Sequence, residues 1–516
     1  MKAEPPLALE GSSGGAGRPF HGLALALAGL HAVLALLVFE PTLFAGGDNA
    51  GYLILGDALR SGDGYRDLYL PGAPLHAKYP PVLPGLLALL GWLGGVQLFK
   101  LAMVACTAIT VWLTALVGRR LVGEGPALFA AALLAINPTL IEYGHYILSE
   151  APFTLLVMLA LAGYLRDDRA GTWIAVLASV GAFLTRTAGL TLLLALPVAW
   201  LLRKSTRRAA MAGAAGLVAM SGWGLYQAWA APEQASYLQE LVMRDPYDPA
   251  AGTLGPAGLL ARAAINLWAY VSRVVPQTSF GVEGPPGAGW TALAIAFCGL
   301  ALFGWARKAR QAPGASELFV LLYTALLAVW PDVWTDRRFL LPLVPLLGVF
   351  GFGAASHLGG GHVKRWGPAA LLILTGLPAV SWVVGRIPER TACLASYRTG
   401  APCDAPAFAS FYAAARWAAE NTPPAAVIAN RKPRLFYWYS QRQGDLYAYS
   451  GDPEAVLRGL DSMGAGYVVV DQVSGTTLRY LVPAIQTHPE RFERVYEGGE
   501  PPTFILRLLP RPANAQ

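Results

Sequence analysis

The chain repeats long apolar blocks, and its lysines and arginines gather after every second one. A helix needs roughly 20 apolar residues to cross the hydrocarbon core of a bilayer, and somewhat fewer inside a bundle. By that measure spans fall near 22–43, 96–117, 125–143, 149–165, 171–185, 188–202, 209–230, 289–305, 315–331, 339–356 and 367–385. The basic clusters then sit at Arg119-Arg120, at Arg166 with Arg169, in RKSTRR at 203–208, in ARKAR at 306–310 and at Lys364-Arg365. Cytoplasmic loops carry the excess of Lys and Arg, so a cytoplasmic N-terminus puts every cluster on that side. The block YPPVLPGLLALLGWLGG at 79–95 is apolar enough to count as another span, but counting it would reverse every later loop. It reads instead as a re-entrant or interface-lying segment. The expected fold class is a polytopic α-helical membrane protein of about eleven spans, N-terminus inside and C-terminus outside.

Composition supports this. Only 14% of the 516 residues are charged and 55% are hydrophobic, whereas about a quarter of a soluble protein is charged. The net charge of +7 is accounted for by topology and gives no reason to expect a nucleic-acid partner. Residues 1–20 are rich in Pro, Gly and Ser and read as a disordered cytoplasmic N-terminus. The apolar run that follows is too long for a signal-peptide core and reads as a retained first span.

The membrane domain covers 21–385, with a large first extracytoplasmic loop at 44–95 and a second at about 231–288. The second contains ARAAINLWAYVSRVVP, whose pattern suits a helix lying on the membrane. Residues 386–516 change character. FYAAARWAAENTP and PEAVLRGLDSMG suit helices, and AAVIAN, AGYVVVD, RFERVYEG and PTFILRLL suit strands. Alternating strands and helices predict a small extracytoplasmic α/β domain. Cys393 and Cys403 stand at its entrance, on the oxidising side, as a disulfide or as two free thiols. Cys106 and Cys298 lie within spans and pack there. No CxxC pattern predicts a structural zinc site.

Charges near the outer surface or within spans are costly, and so are functional candidates. The first loop carries Asp48 and, one helical turn on, Tyr52 in DNAGYLILGDALR. Asp48 is either a helix cap or a positioned carboxylate. The same loop ends in LHAKYPP, with His76, Lys78 and Tyr79. Lys78 either snorkels to the headgroups or holds an anionic one. Glu142, His145 and Glu150 crowd the turn EYGHYILSEAP, where Glu150 also suits the start of a helix. Arg186 in FLTRTAGL breaks the positive-inside pattern. WPDVWTDRRFLLPLVP adds Arg337 and Arg338 beside Trp330 and Trp334, which suits a phosphate at headgroup level or interfacial anchoring. One dominant carboxylate with several cations on one side of a membrane is a layout for moving a group from a lipid-linked phosphate to a hydroxyl.

The early Asp of the first loop, KYPP, SEAP, TRTAG and RRFLLPLVP occur in that order. In this the chain resembles the GT-C superfamily of integral-membrane glycosyltransferases. The likeness is to the bacterial dolichyl-phosphate-mannose–protein mannosyltransferase-like branch, which includes the lipid A aminoarabinose transferases. The resemblance implies an inverting sugar transfer from a polyprenyl-phosphate donor to a lipid, glycan or protein hydroxyl, at the periplasmic face of a bacterial inner membrane. It implies Asp48 as general base. It also implies Lys78, Arg186 and Arg338 at the donor phosphate and Tyr52 as the aromatic one turn after the acid. The reading of outward polar residues adds Arg337 to the phosphate site and His76, Tyr79, His145 and Glu150 to the substrate site. A divalent metal stays open. Ala77 and Asn49 stand where family members often carry acidic residues. The alternative from another class is a lipid-linked sugar flippase, though the charges cluster at one face rather than at the midplane.

Overall fold

The apolar periodicity is realised as helices nearly throughout. The structure, a computed structural model, describes residues 17–232, 237–246, 251–358, 361–399 and 403–511. Most of the segment expected to be disordered, residues 1–16, lies outside these. Among the described residues six helices are long and apolar enough to cross a membrane: Pro19–Leu37, Val96–Val122, Thr206–Ala230, Ala288–Gln311, Arg337–Ala355 and Arg365–Arg398. A seventh candidate is the pair Glu124–Ala135 and Pro138–His145, bent by 53°.

Length and composition thus support six or seven spans where about eleven were expected. The remaining expected spans form shorter helices, Glu150–Arg166, Arg169–Phe183, Thr187–Leu202 and Ala315–Val329. Two of them pack backbone to backbone. A Cβ on Gly163 would lie 2.7 Å from Ala175 N, so only glycine allows Glu150–Arg166 to approach its neighbour this closely. The surface of Thr206–Ala230 presents Leu217, Val218, Leu225 and Trp229 outward, a face suited to lipid rather than water.

The break at Asn137-Pro138 has a local cause. Proline has no N–H and disfavours a helical residue before it. Asn137 caps the second piece, its Oδ1 accepting from Leu140 N at 2.8 Å. Its amide also donates to Thr278 O at 2.8 Å, which ties the bend to the second outer loop. In that loop Pro256–Ala269 is helical and exposes Leu260, Ile265 and Trp268. The 79–95 block yields only a nine-residue helix, Val82–Leu90, too short to span, followed by exposed Trp92 and Leu93.

The last membrane helix runs on to Arg398, past residue 385. Cys393 near its end is joined to Cys403 by a disulfide. Beyond Pro406 comes the mixed unit. Its strands are β1 (Ile428–Ala429), β2 (Tyr467–Val470), β3 (Phe492–Gly498) and β4 (Thr503–Leu508), in the order β1-β2-β4-β3. The β1–β2 pair is parallel and the others antiparallel, with Val469 opposite Ile505. The helix Pro433–Ser440, which strand and helix periodicity did not single out, leaves β1 and packs on the first-loop helix Gly47–Ser61. Gly444 N donates to Tyr69 O at 2.9 Å and Gln443 Nε2 to Leu68 O at 3.1 Å. This C-terminal unit therefore sits directly on the first loop.

Candidate active site

Three fixtures place Asp48. Lys100, buried in the second long helix, donates to Glu40 O at 2.7 Å and to Thr42 O, which holds the chain as it leaves the first helix. The first-loop helix then starts at Gly47, with Gly46 as its uncapped N-cap. Asp48 thus lies inside the first turn and its side chain caps nothing. Asn49 next to it is fully buried, and its Oδ1 accepts from Ile147 N at 2.8 Å. Its role is to fasten the loop helix to the 145–149 turn.

The Asp48 carboxylate is engaged on both oxygens. Oδ1 accepts from the Tyr79 hydroxyl at 2.6 Å and faces Arg434 Nη1 at 3.2 Å. Oδ2 faces Arg338 Nη1 at 3.2 Å. The Tyr79 hydroxyl in turn accepts from Arg434 Nη1 at 2.6 Å, and its ring stacks on Tyr52 at 4.7 Å. Arg338 reaches back through Nε to Glu150 Oε1 at 2.7 Å, and Arg186 pairs with the same oxygen while donating to Ser149 Oγ at 2.9 Å. Glu150 is completely buried. A buried carboxylate between two guanidiniums fixes both cations at the cavity wall.

Burial pushes the Asp48 carboxyl up, but Arg338, Arg434 and the Tyr79 hydroxyl outweigh it, and the group is held below its ordinary range. It is an anion at neutral pH. Burial pushes the Tyr79 hydroxyl well up and the Tyr52 hydroxyl to about 12, so both stay protonated.

These groups open into a cavity of about 440 Å³. Lys78, Arg186, Arg338 and Arg434 line it with Asp48 and Asp336, and Leu326, Leu327, Trp330, Val333 and Trp334 form an apolar wall. A cationic floor beside an apolar wall can hold the phosphate and the first carbons of one lipid molecule. Lys78 also lies 3.3 Å from Glu240.

Other predicted residues have different duties. Arg337 turns away from the cavity and pairs with Glu142 at 3.1 Å. His145 is buried outside it, its Nε2 hydrogen-bonded to Ala35 O at 2.8 Å. Glu150 stands behind the wall as a counter-ion and does not line it. His76 spends both nitrogens on the protein. Nδ1 donates to Asp67 at 2.9 Å, and Nε2 accepts the Tyr79 N–H at 2.7 Å, which braces the tyrosine beside Asp48.

Arg434 escaped the sequence reading. It lies between the rings of Tyr69 and Tyr79, 5.3 Å from each. The available signal was RKPR ahead of the aromatic run LFYWY, with Pro433 at the first position of a helix. Gly51 makes its approach possible, since a Cβ there would lie 3.1 Å from Arg434 Cδ.

No protein-family model and no curated protein matches the sequence. Solved structures do match the fold. ArnT from Cupriavidus metallidurans superimposes with a TM-score of 0.60 at 13% identity, over 95% of this chain and 98% of that one. Its undecaprenyl phosphate-bound form gives 0.58 at 14%, over 96% and 99%. The Archaeoglobus fulgidus oligosaccharyltransferase AglB, in complex with an inhibitory peptide and a dolichol-phosphate, gives 0.56 at 12%, over 96% of this chain and 75% of that one. The chain shares its fold with these ArnT and oligosaccharyltransferase structures. The helices and the sheet-containing C-terminal unit are arranged as in the ArnT structure.

A structure of the Archaeoglobus fulgidus oligosaccharyltransferase is in complex with Zn and sulfate. Here the Asp48 oxygens already face two guanidiniums and a hydroxyl. No group of three or more His, Cys, Asp or Glu side chains able to hold a metal occurs among the described residues. A divalent cation needs several oxygen or imidazole ligands, and Asp48 is one carboxylate with both oxygens already engaged, so the donor set there does not fit one.

Proposed function

We propose that the protein transfers a sugar from a polyprenyl-phosphate donor to an acceptor hydroxyl, with inversion at the anomeric carbon. The observation that carries this is the ionised Asp48 carboxylate among the four cations of a half-apolar cavity, in a fold shared with ArnT bound to undecaprenyl phosphate. In this reading Arg186, Arg338 and Lys78 hold the donor phosphate, while the polyprenyl chain follows Trp330 and Trp334 toward the lipid. Asp48 takes the proton of the acceptor hydroxyl as its oxygen bonds the anomeric carbon. The bond from that carbon to the phosphate oxygen breaks, and the leaving polyprenyl phosphate keeps the electron pair next to the arginines.

A carboxylate held low by cations is a weak base. Donor binding corrects this, because the phosphate competes for Arg338 and raises the basicity of Asp48 when the acceptor is present. The topology that goes with the mechanism has about eleven helices crossing or entering the bilayer. The N-terminus would be cytoplasmic, and the cavity and C-terminal unit would face the periplasm of a bacterial inner membrane. The transporter alternative gains no support from these fold neighbours.

The test is transfer from a polyprenyl-phosphate sugar by the purified full-length protein. Asp48→Asn is expected to lower kcat by about 10²–10⁴ with polyprenyl-phosphate binding retained. Wild-type turnover by that variant would remove Asp48 from the mechanism.

A further inference from the structure

A second cavity, of about 580 Å³, lies on the other side of Lys78 and Arg434, which line both. Its remaining polar lining is Asp67, Tyr69, His76, Gln227 and Glu240. The two cavities differ in charge. Among the described residues the first sets four cations against two carboxylates, and the second sets two against two.

The carboxylates of the second cavity also differ in how they are satisfied. Asp67 is held by His76, while Glu240 Oε2 is buried with no hydrogen-bond partner. A carboxylate oxygen short of a donor is satisfied by a hydroxyl. A phosphate placed there would meet Asp67 and Glu240 as well as Lys78 and Arg434, and Lys78 is already paired with Glu240 at 3.3 Å, so no excess of cations is left to hold it. Dispersed hydroxyls suit this lining and an anion does not.

We propose that the second cavity seats the acceptor, and that the acceptor's head is neutral and rich in hydroxyls. The proposal rests on the transferase reading above. A hydroxyl held by this lining passes between Lys78 and Arg434 to reach Asp48, whose Oδ1 already faces Arg434 at 3.2 Å. The shared cations then separate the two substrates by charge, with the anionic donor head on one side and the neutral acceptor head on the other.

Trehalose and trehalose 6-phosphate form a matched pair of probes for the full-length protein in lipid nanodiscs, with saturation-transfer NMR as the readout. Trehalose is expected to bind saturably, and its phosphate at least about five-fold more weakly. Gly224→Trp should fill the cavity, since no atom lies within 4 Å of a Cβ placed at Gly224. It should abolish the trehalose signal, and Ala228→Phe should do the same. Retained polyprenyl-phosphate binding shows that each variant is folded. Absent trehalose binding, equal or tighter binding of the phosphate, or trehalose binding undisturbed in a folded variant overturns the proposal. The readout does not depend on turnover, so an active Asp48→Asn would remove the base while leaving the seat standing.

Discussion

The two sides of the Asp48 carboxylate are built differently. On the membrane side Arg338 and Arg186 converge on the buried Glu150, all three supplied by the helical bundle. On the outer side Tyr79 comes from the first loop and Arg434 from the soluble unit, 386 residues along the chain from Asp48. The inner half is a closed ion-pair network that needs no other domain. The outer half exists only while the soluble unit is seated on the loop. Stability of the bundle and competence of the site therefore separate at Asp48.

The contrast can be broken from either side. Glu150→Gln should do the most damage after loss of Asp48 itself. It leaves Arg186 and Arg338 without their buried counter-ion, a change that costs about 3–5 kcal/mol where one partner of a buried pair is removed. The expected outcome is a lower unfolding temperature together with near-complete loss of transfer. A normal unfolding temperature would show that the inner network is not what holds the bundle end together.

Arg434→Gln should leave the unfolding temperature close to wild type. Loss of one charge-assisted contact, worth about 1.5–3 kcal/mol, should lower kcat/KM by about 10–100-fold. It also carries a pH signature. Burial raises the Asp48 carboxyl, and Arg338, Arg434 and Tyr79 together bring it below its ordinary value, with Lys432, Tyr52 and Glu150 the other charged or titratable groups nearby. Removing one cation raises its pKa, so the acid limb of the kcat/KM profile should move to higher pH. An unmoved limb would mean that Arg434 only props the fold.

Gly51→Ala is a finer probe of the same half. The added methyl group presses on Arg434 without removing its charge, and a loss of only a few-fold, about 1 kcal/mol, is expected. Arg337→Gln should have the smallest effect, with kcat of the folded protein within about two-fold of wild type, because Arg337 lies outside reach of the cavity. A large loss there would return Arg337 to the phosphate site.

How much of this was readable follows the same division. Arg186 could be picked out because an arginine in a hairpin expected to face outward needs a reason. Asp48 could be picked out as the first-loop acid among outward cations. Arg337 and Arg338 could not be told apart, since neighbours on a helix point about 100° from each other and only packing decides which faces the cavity. His76 and His145 could not be sorted by sequence, which shows a ring and not its partners; His76 lines the second cavity, and His145 lines neither. Their nitrogens are taken by Asp67, the Tyr79 amide and Ala35 O.

The order of apolar blocks and basic clusters was enough to announce a helical membrane protein, because hydropathy and loop charge act locally and along the chain. The strand and helix periods beyond residue 400 likewise announced the mixed C-terminal unit. Which helices reach full spanning length was decided by proline breaks and close packing, as at Asn137-Pro138. The second cation on Asp48 was decided by tertiary structure alone. Arg434 is one arginine among many until docking of the C-terminal unit, through Gly444 and Tyr69, lays its helix against Gly51. Contacts between segments so far apart in the chain depend on the shapes of two folded surfaces, and no local pattern of residues encodes them.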